Sequence, residues 1–250
     1  MNALVQRLRV HTRLLRLTAL FAALAVAATG CLYPDELRGE NKASYRDSVL
    51  LVQNAVDEYL KNEGLLPIFN STQETPKYEK FRINFEDLVG KQYLSAIPSA
   101  AFEKGGHGYF IIIDEETNPT VRIMDLVTAQ LVNDLQKAVD KYAADNKGDL
   151  PRGEEAYPGY YWLDLDKIGL SKRALNSVFS GEAVRFMLGV SGNVYVDYAP
   201  DIMQAIEKSG QHPTDPTFDL RTLLTEASYF VPVKSVPYFW VDGEPRPAKL

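Results

Sequence analysis

Cysteine and histidine are nearly absent from this sequence: its 250 residues include one cysteine and three histidines. A lone Cys31 excludes an internal disulfide framework and any zinc site built on thiolates. Only His107 and His212 lie beyond the first 30 residues, so chemistry that needs several imidazoles is not expected. There is no G-x-S-x-G elbow, no H-E-x-x-H, no G-x-G-x-x-G and no D-x-D-x-D-G calcium loop. No cofactor is therefore expected. Low complexity is also missing. A hydrophobic share of 46%, an aromatic share of 11% and a charged share of 24% describe a chain that folds around a real core. The length suits one large domain or two small ones.

Acidic residues are missing from residues 1–30, which carry Arg7, Arg9, Arg13 and Arg16. An apolar run from Leu17 to Gly30 follows the arginines and ends at Cys31. A basic start, an apolar stretch too short to span a bilayer comfortably and a small-residue site have the layout of an export signal. Ala28-Thr29-Gly30-Cys31 resembles a bacterial lipobox, which implies cleavage between Gly30 and Cys31 and a diacylglyceryl anchor on Cys31. Two acyl chains anchor stably where one is marginal. The expected location is the extracytoplasmic face of the cell membrane. Those 30 residues hold four of the 27 basic residues and none of the 33 acidic ones, so the rest of the chain carries a net charge of −10. Such a domain is repelled by nucleic-acid phosphates, and no nucleic-acid partner is expected. Residues 31–42 are mostly polar, with Pro34 and Gly39, and read as a tether.

Beyond the tether the chain repeats itself. Gln53, Ala55, Val56, Asp57 and Tyr59 return as Gln136, Ala138, Val139, Asp140 and Tyr142 at a constant offset of 83. After one inserted residue, Gly64, Leu66 and Pro67 return as Gly148, Leu150 and Pro151. Val49, Val52, Val56 and Tyr59 recur at the spacing of one helix face, as do Leu131, Leu135, Val139 and Tyr142. Asp125 is placed to cap the second helix, and each Gly-x-x-Pro stops its helix. A short amphipathic segment should follow in each copy, at 85–89 and at 163–168. Two strands then close each copy, 109–113 with 121–124 and 184–188 with 194–198. Gln204-Ala205-Ile206, the Gly210 to Pro213 turn, 218–224 and a single strand over 236–241 read as an abbreviated third copy. The fold class is α+β, in repeated units of a long amphipathic helix, a short helix and an antiparallel β-hairpin. The units are placed at 43–125, 126–198 and 199–250, with a core shared among them.

The candidate binding surface is Tyr157, Tyr160, Tyr161 and Trp162 in the run YPGYYW, with His107 in Gly105-Gly106-His107-Gly108. Aromatics on a loop can stack on sugars or on a protein partner; they can equally cover a helix end, with Tyr161 and Leu163 facing inward. Glycines around His107 admit close approach of a small ligand, or mark a hairpin entry. Tyr238-Phe239-Trp240 reads as core. Asp114 to Asn118 reads as a solvated turn rather than a cation site. Asp164 and Asp166 fit capping better than an acid–base pair. No metal ligand or catalytic residue is assigned.

The two helix ends, Ala55-Val-Asp-Glu-Tyr59 through Pro67 and Ala138-Val-Asp-Lys-Tyr142 through Pro151, resemble the region where the long helix of pilin-like proteins enters its loop, although no prepilin leader is present. Cys31-Leu-Tyr-Pro-Asp35 and the helix ending in Leu-Pro resemble uncharacterised lipoproteins of Gram-positive spore-forming bacilli. That resemblance implies a lipid-anchored, extracytoplasmic protein and carries no catalytic residue. The expectation is a non-enzymatic module for interaction or assembly with an envelope protein or cell-wall partner. The alternatives are a solute-binding lipoprotein of a transporter and a cell-wall glycan-acting enzyme.

Overall fold

The computed structural model describes residues 42–210 and 213–249. Gly30, Cys31, most of the tether and His212 lie outside the described residues; Lys42, read as the tether's last residue, begins the first helix.

Five α-helices set the frame among the described residues, and local sequence explains their faces and ends. Helix α1 (Lys42–Glu63) turns Val49, Val52, Val56 and Tyr59 into the core. Helix α2 (Phe85–Gly90) is short and capped by Asn84, whose side chain accepts from the Glu86 and Asp87 amides. Helix α3 (Leu126–Asp145) is capped by Asp125, which accepts from the Thr128 amide at 3.0 Å, and buries Leu131, Leu135 and Val139. Helix α4 (Ala199–Ser209) has Pro200 in its first turn, and helix α5 (Arg221–Ala227) is two turns long. Gly64, Gly148 and Gly210 sit at φ of 72°, 88° and 64°, where a side chain would be strained, and end the long helices.

All strand pairs are antiparallel. β1 (Gly108–Ile113) pairs with β2 (Thr120–Asp125). β3 (Arg152–Tyr157), β4 (Tyr160–Leu163), β5 (Arg185–Gly189) and β6 (Val194–Asp197) form one four-stranded sheet in sequence order. β7 (Tyr238–Val241) pairs with β8 (Glu244–Pro247). The architecture is α+β, and each long helix packs on the second strand of a later hairpin: α1 on β2, α3 on β6 and α4 on β8.

The repeat is visible in hydrogen bonds. The Gln53 side chain donates to the Pro119 carbonyl at 3.1 Å, accepts from the Val121 amide at 2.7 Å and donates to Asp57 at 2.8 Å. Gln136 does the same with the Gly192 carbonyl at 2.9 Å, the Val194 amide at 2.8 Å and Asp140 at 2.8 Å. Each glutamine thus clamps its helix to the turn of its own hairpin. The chain after each proline is also alike. Pro67 accepts from the Asn84 amide at 2.8 Å and Pro151 from the Asp164 amide at 3.0 Å. Ile68 bridges Ile83 as Arg152 pairs with Leu163. Arg82 then bridges Ile111 as Trp162 pairs with Met187, so the first unit holds a reduced version of the second unit's sheet.

Two expectations need correction. Residues 163–168 are not a helix. Leu163 is the last residue of β4, and Asp164 caps only a turn by accepting from the Asp166 and Lys167 amides. The C-terminal unit has a hairpin instead of one strand: Asp242 and Gly243, both at positive φ, form the two-residue turn that matches strand twist. The core is shared among the units but is not one continuous cluster. Their buried side chains form three clusters: one around α1 and β1–β2, one joining α3, the four-stranded sheet, α4 and β7, and a small one around Ile111, Ile113, Met124 and Val231.

What ties the clusters together is the segment 229–234. Ile123 donates to the Tyr229 carbonyl at 2.8 Å and accepts from the Val231 amide at 3.0 Å, so the strap adds in parallel to β2. Three residues on, the Lys234 carbonyl accepts from the Val196 amide of β6 at 2.8 Å. Val231 and Val233 are buried, and the Lys234 ammonium meets Glu79 at 2.9 Å.

Candidate interaction surface

YPGYYW is a hairpin and not a loop: Pro158 and Gly159 form the turn between β3 and β4. Tyr160 leaves the candidate surface, because it is fully buried and its hydroxyl donates to the Ala248 carbonyl at 2.9 Å. Tyr157, Tyr161 and Trp162 are half-buried. They form two separate stacks. Arg185 lies 3.4 Å above the Trp162 ring with Tyr157 edge-on at 6.2 Å, and Arg152 covers Tyr161 at 4.9 Å. Strand alternation puts Tyr161 and Trp162 on opposite faces, which is why they cannot act as one platform.

Beneath the first stack lies a buried carboxylate. Asp197 accepts from the Tyr238 hydroxyl at 3.0 Å, the Ala199 amide at 3.1 Å and the Tyr157 hydroxyl at 3.4 Å. Burial raises its pKa above the ordinary aspartate value, opposed by those hydrogen bonds and by the nearby Arg185 cation. Burial and the neighbouring Asp197 raise the Tyr157 and Tyr238 hydroxyls as well, so the tyrosines stay protonated donors. Asp201 is raised by burial in the same direction.

His107 sits in the turn before β1, where its carbonyl accepts from the Leu126 amide at 2.9 Å. Its glycines serve the chain's own packing. A Cβ on Gly106 would lie 2.1 Å from the Ala100 carbonyl oxygen, and one on Gly108 2.5 Å from the Ile123 side chain. The close approach expected for a ligand is thus made by residues 99–101 and β2. Among the described residues, clefts of about 530 Å³ and about 370 Å³ are found, and neither is lined by His107 or by residues 157–162. The larger runs past Glu74, Lys77, Asp114 and Arg221; the smaller is lined by Tyr45, Phe179 and Phe230. Among the described residues no three His, Cys, Asp or Glu side chains converge as a metal site. Asp114 to Asn118 forms the β1–β2 turn, with the Asp114 carbonyl accepting from the Asn118 amide at 2.9 Å.

Sequence reasoning missed a second aromatic surface. Arg82 is exposed and lies 5.0 Å from the Tyr109 ring centroid and 5.7 Å from that of Phe69. Phe102 packs on Tyr109 at 4.9 Å. Phe69 and Phe102 keep 46% and 48% of their surface exposed. Four side chains from four separate segments thus make one continuous strip of rings around a guanidinium. The signal lies in Phe81 and Ile83, apolar neighbours that pack inward on either side of Arg82 and leave it outward.

Fold and surface together define a small α+β protein of helix-on-sheet units with an exposed aromatic–arginine strip on the first. Residues 45–125 match the family described as the YphF family N-terminal domain. The matched span starts in α1 and ends on the last residue of β2, so it contains the whole strip. No curated protein and no solved structure matches this chain.

Proposed function

We propose that the protein is a lipid-anchored extracytoplasmic module, held in the membrane through Cys31, that presents its α+β body to a protein partner of the cell envelope. The observation that carries the reading is the strip Phe69–Arg82–Tyr109–Phe102. Exposed phenylalanines are costly in water, and aromatic rings beside arginine are the composition of interface hot spots. The lipobox-like run before Cys31 supports the anchor. In cells fed a clickable fatty acid, the chain should take up label and sediment with membranes, and Cys31→Ala should lose both. Label retained by the variant refutes the anchor.

A solute-binding lipoprotein is the second reading, because a cleft of about 530 Å³ falls within the range of ligand sites. Its test is a rise in melting temperature on adding solutes, with no rise expected under the first reading.

A further inference from the structure

The internal repeat allows the strip to be compared with its own counterpart. Arg82 of the first unit and Trp162 of the second occupy the same sheet position, because Arg82 pairs with Ile111 as Trp162 pairs with Met187. Two residues before those partners stand Tyr109 and Arg185. Both units therefore carry a cross-strand cation–π stack at the same place, with the ring and the cation exchanged: Arg82 on Tyr109 at 5.0 Å, and Arg185 on Trp162 at 3.4 Å.

The counterparts differ in what faces the cation. Arg185 stands opposite Asp197 in strand register, near enough for its charge to act on that carboxylate but without an ion pair. Tyr109 pairs with Met124, so in the first unit the acid's place is taken by a thioether. Arg82 makes no ion pair among the described residues. The turn that carries Phe102 also carries Glu103 and Lys104, which cancel in charge. The first unit thus has the cation and three rings but no carboxylate at the register position that Asp197 takes in the second.

We infer that the strip formed by Phe69, Arg82, Tyr109 and Phe102 binds an acidic peptide segment of the partner, with a partner carboxylate on Arg82 and an adjacent apolar side chain against Phe69 and Phe102. This rests on the proposed interaction role and gives that partner a chemistry. A guanidinium held between two rings keeps its fork fixed for a carboxylate, and the flanking phenylalanines exclude water from the pair.

The test pans a phage-displayed library of random 12-residue peptides on the full-length chain in detergent micelles, then measures synthetic winners by fluorescence anisotropy. Winners should carry Asp or Glu next to Leu or an aromatic residue. Arg82→Gln should weaken them at least tenfold, Arg82→Lys should fall between, Phe102→Ala should weaken them severalfold, and Lys137→Ala, an exposed cation of helix α3 outside the strip, should change nothing. Unchanged melting temperatures certify the fold of each variant. Winners without acids, full binding by a folded Arg82→Gln, or no winners at all overturn the inference. So does binding that goes instead to phosphatidylglycerol vesicles or a glycerol-phosphate polymer in an Arg82-dependent way. None of these outcomes touches the membrane anchor, which the Cys31→Ala fractionation reads separately.

Discussion

Replacing Gln136 by alanine tests whether the repeated clamp holds each helix to its hairpin. The substitution removes the acceptor of the Val194 amide and the donor to the Gly192 carbonyl, both at part-buried positions next to a buried strand. Each orphaned backbone group costs about 1 kcal/mol net, and the exposed bond to Asp140 adds little, so the loss should be about 2–3 kcal/mol. Equilibrium urea unfolding measures the total. Amide exchange then locates it: Val194 should exchange about thirtyfold faster, while Val121, held by Gln53, keeps its protection. Gln53→Ala should invert the pattern. Gln136→Glu keeps the shape but turns a carboxylate onto the Gly192 carbonyl and Asp140, so it should destabilise at neutral pH and recover on acidification. A Gln136→Ala protein within about 0.5 kcal/mol of the parent, or unchanged exchange at Val194, would refute the clamp. Asp140→Ala is the control and should cost about 0.5 kcal/mol or less.

Gly106→Ala should destabilise by more than about 2 kcal/mol in thermal melts, because its Cβ meets backbone at Ala100 that cannot step aside; a melt within about 1 °C of the parent refutes the packing account of that loop. Asp197 has a folded-state pKa above its unfolded value, so its contribution to stability is present below the unfolded pKa and is lost as pH rises through the folded one. Asp197→Asn should remove that loss. The difference in stability between variant and parent should shift in the variant's favour as pH is raised from 3 to 7, and a difference that is flat with pH sinks the assignment.

What the sequence made legible is what short-range periodicity and turn chemistry decide. The faces of α1 and α3, the glycine stops and the offset of 83 all rest on contacts within a few residues of chain, and the strands of β1–β2 and β5–β6 announce themselves by apolar runs. The misses have specific causes. Arg152 to Tyr157 is a polar edge strand with register shifts and gave no alternation to read. Pro245 and Pro247 in β8 argue against a strand unless it is an edge, which it is. The strip around Arg82 could not be seen as a site, because Phe69, Arg82, Phe102 and Tyr109 meet only once sheet register is set. The cysteine that anchors the localisation argument lies outside the described residues.

The strap at 229–234 has a consequence for how the chain is made. It supplies hydrogen bonds to the open edges of β2 and β6 beyond those of the two glutamine clamps, yet it leaves the ribosome only after both of those strands are complete. A chain cut short before Tyr229 would leave the Ile123 amide and carbonyl of β2 and the Val196 amide of β6 unpaired, with only the Gln53 and Gln136 clamps left on those edges, an opening for pairing with other strands. A molecule that stops short of Lys234 is therefore left with its two sheets partly open, so residues made late are the ones that close them.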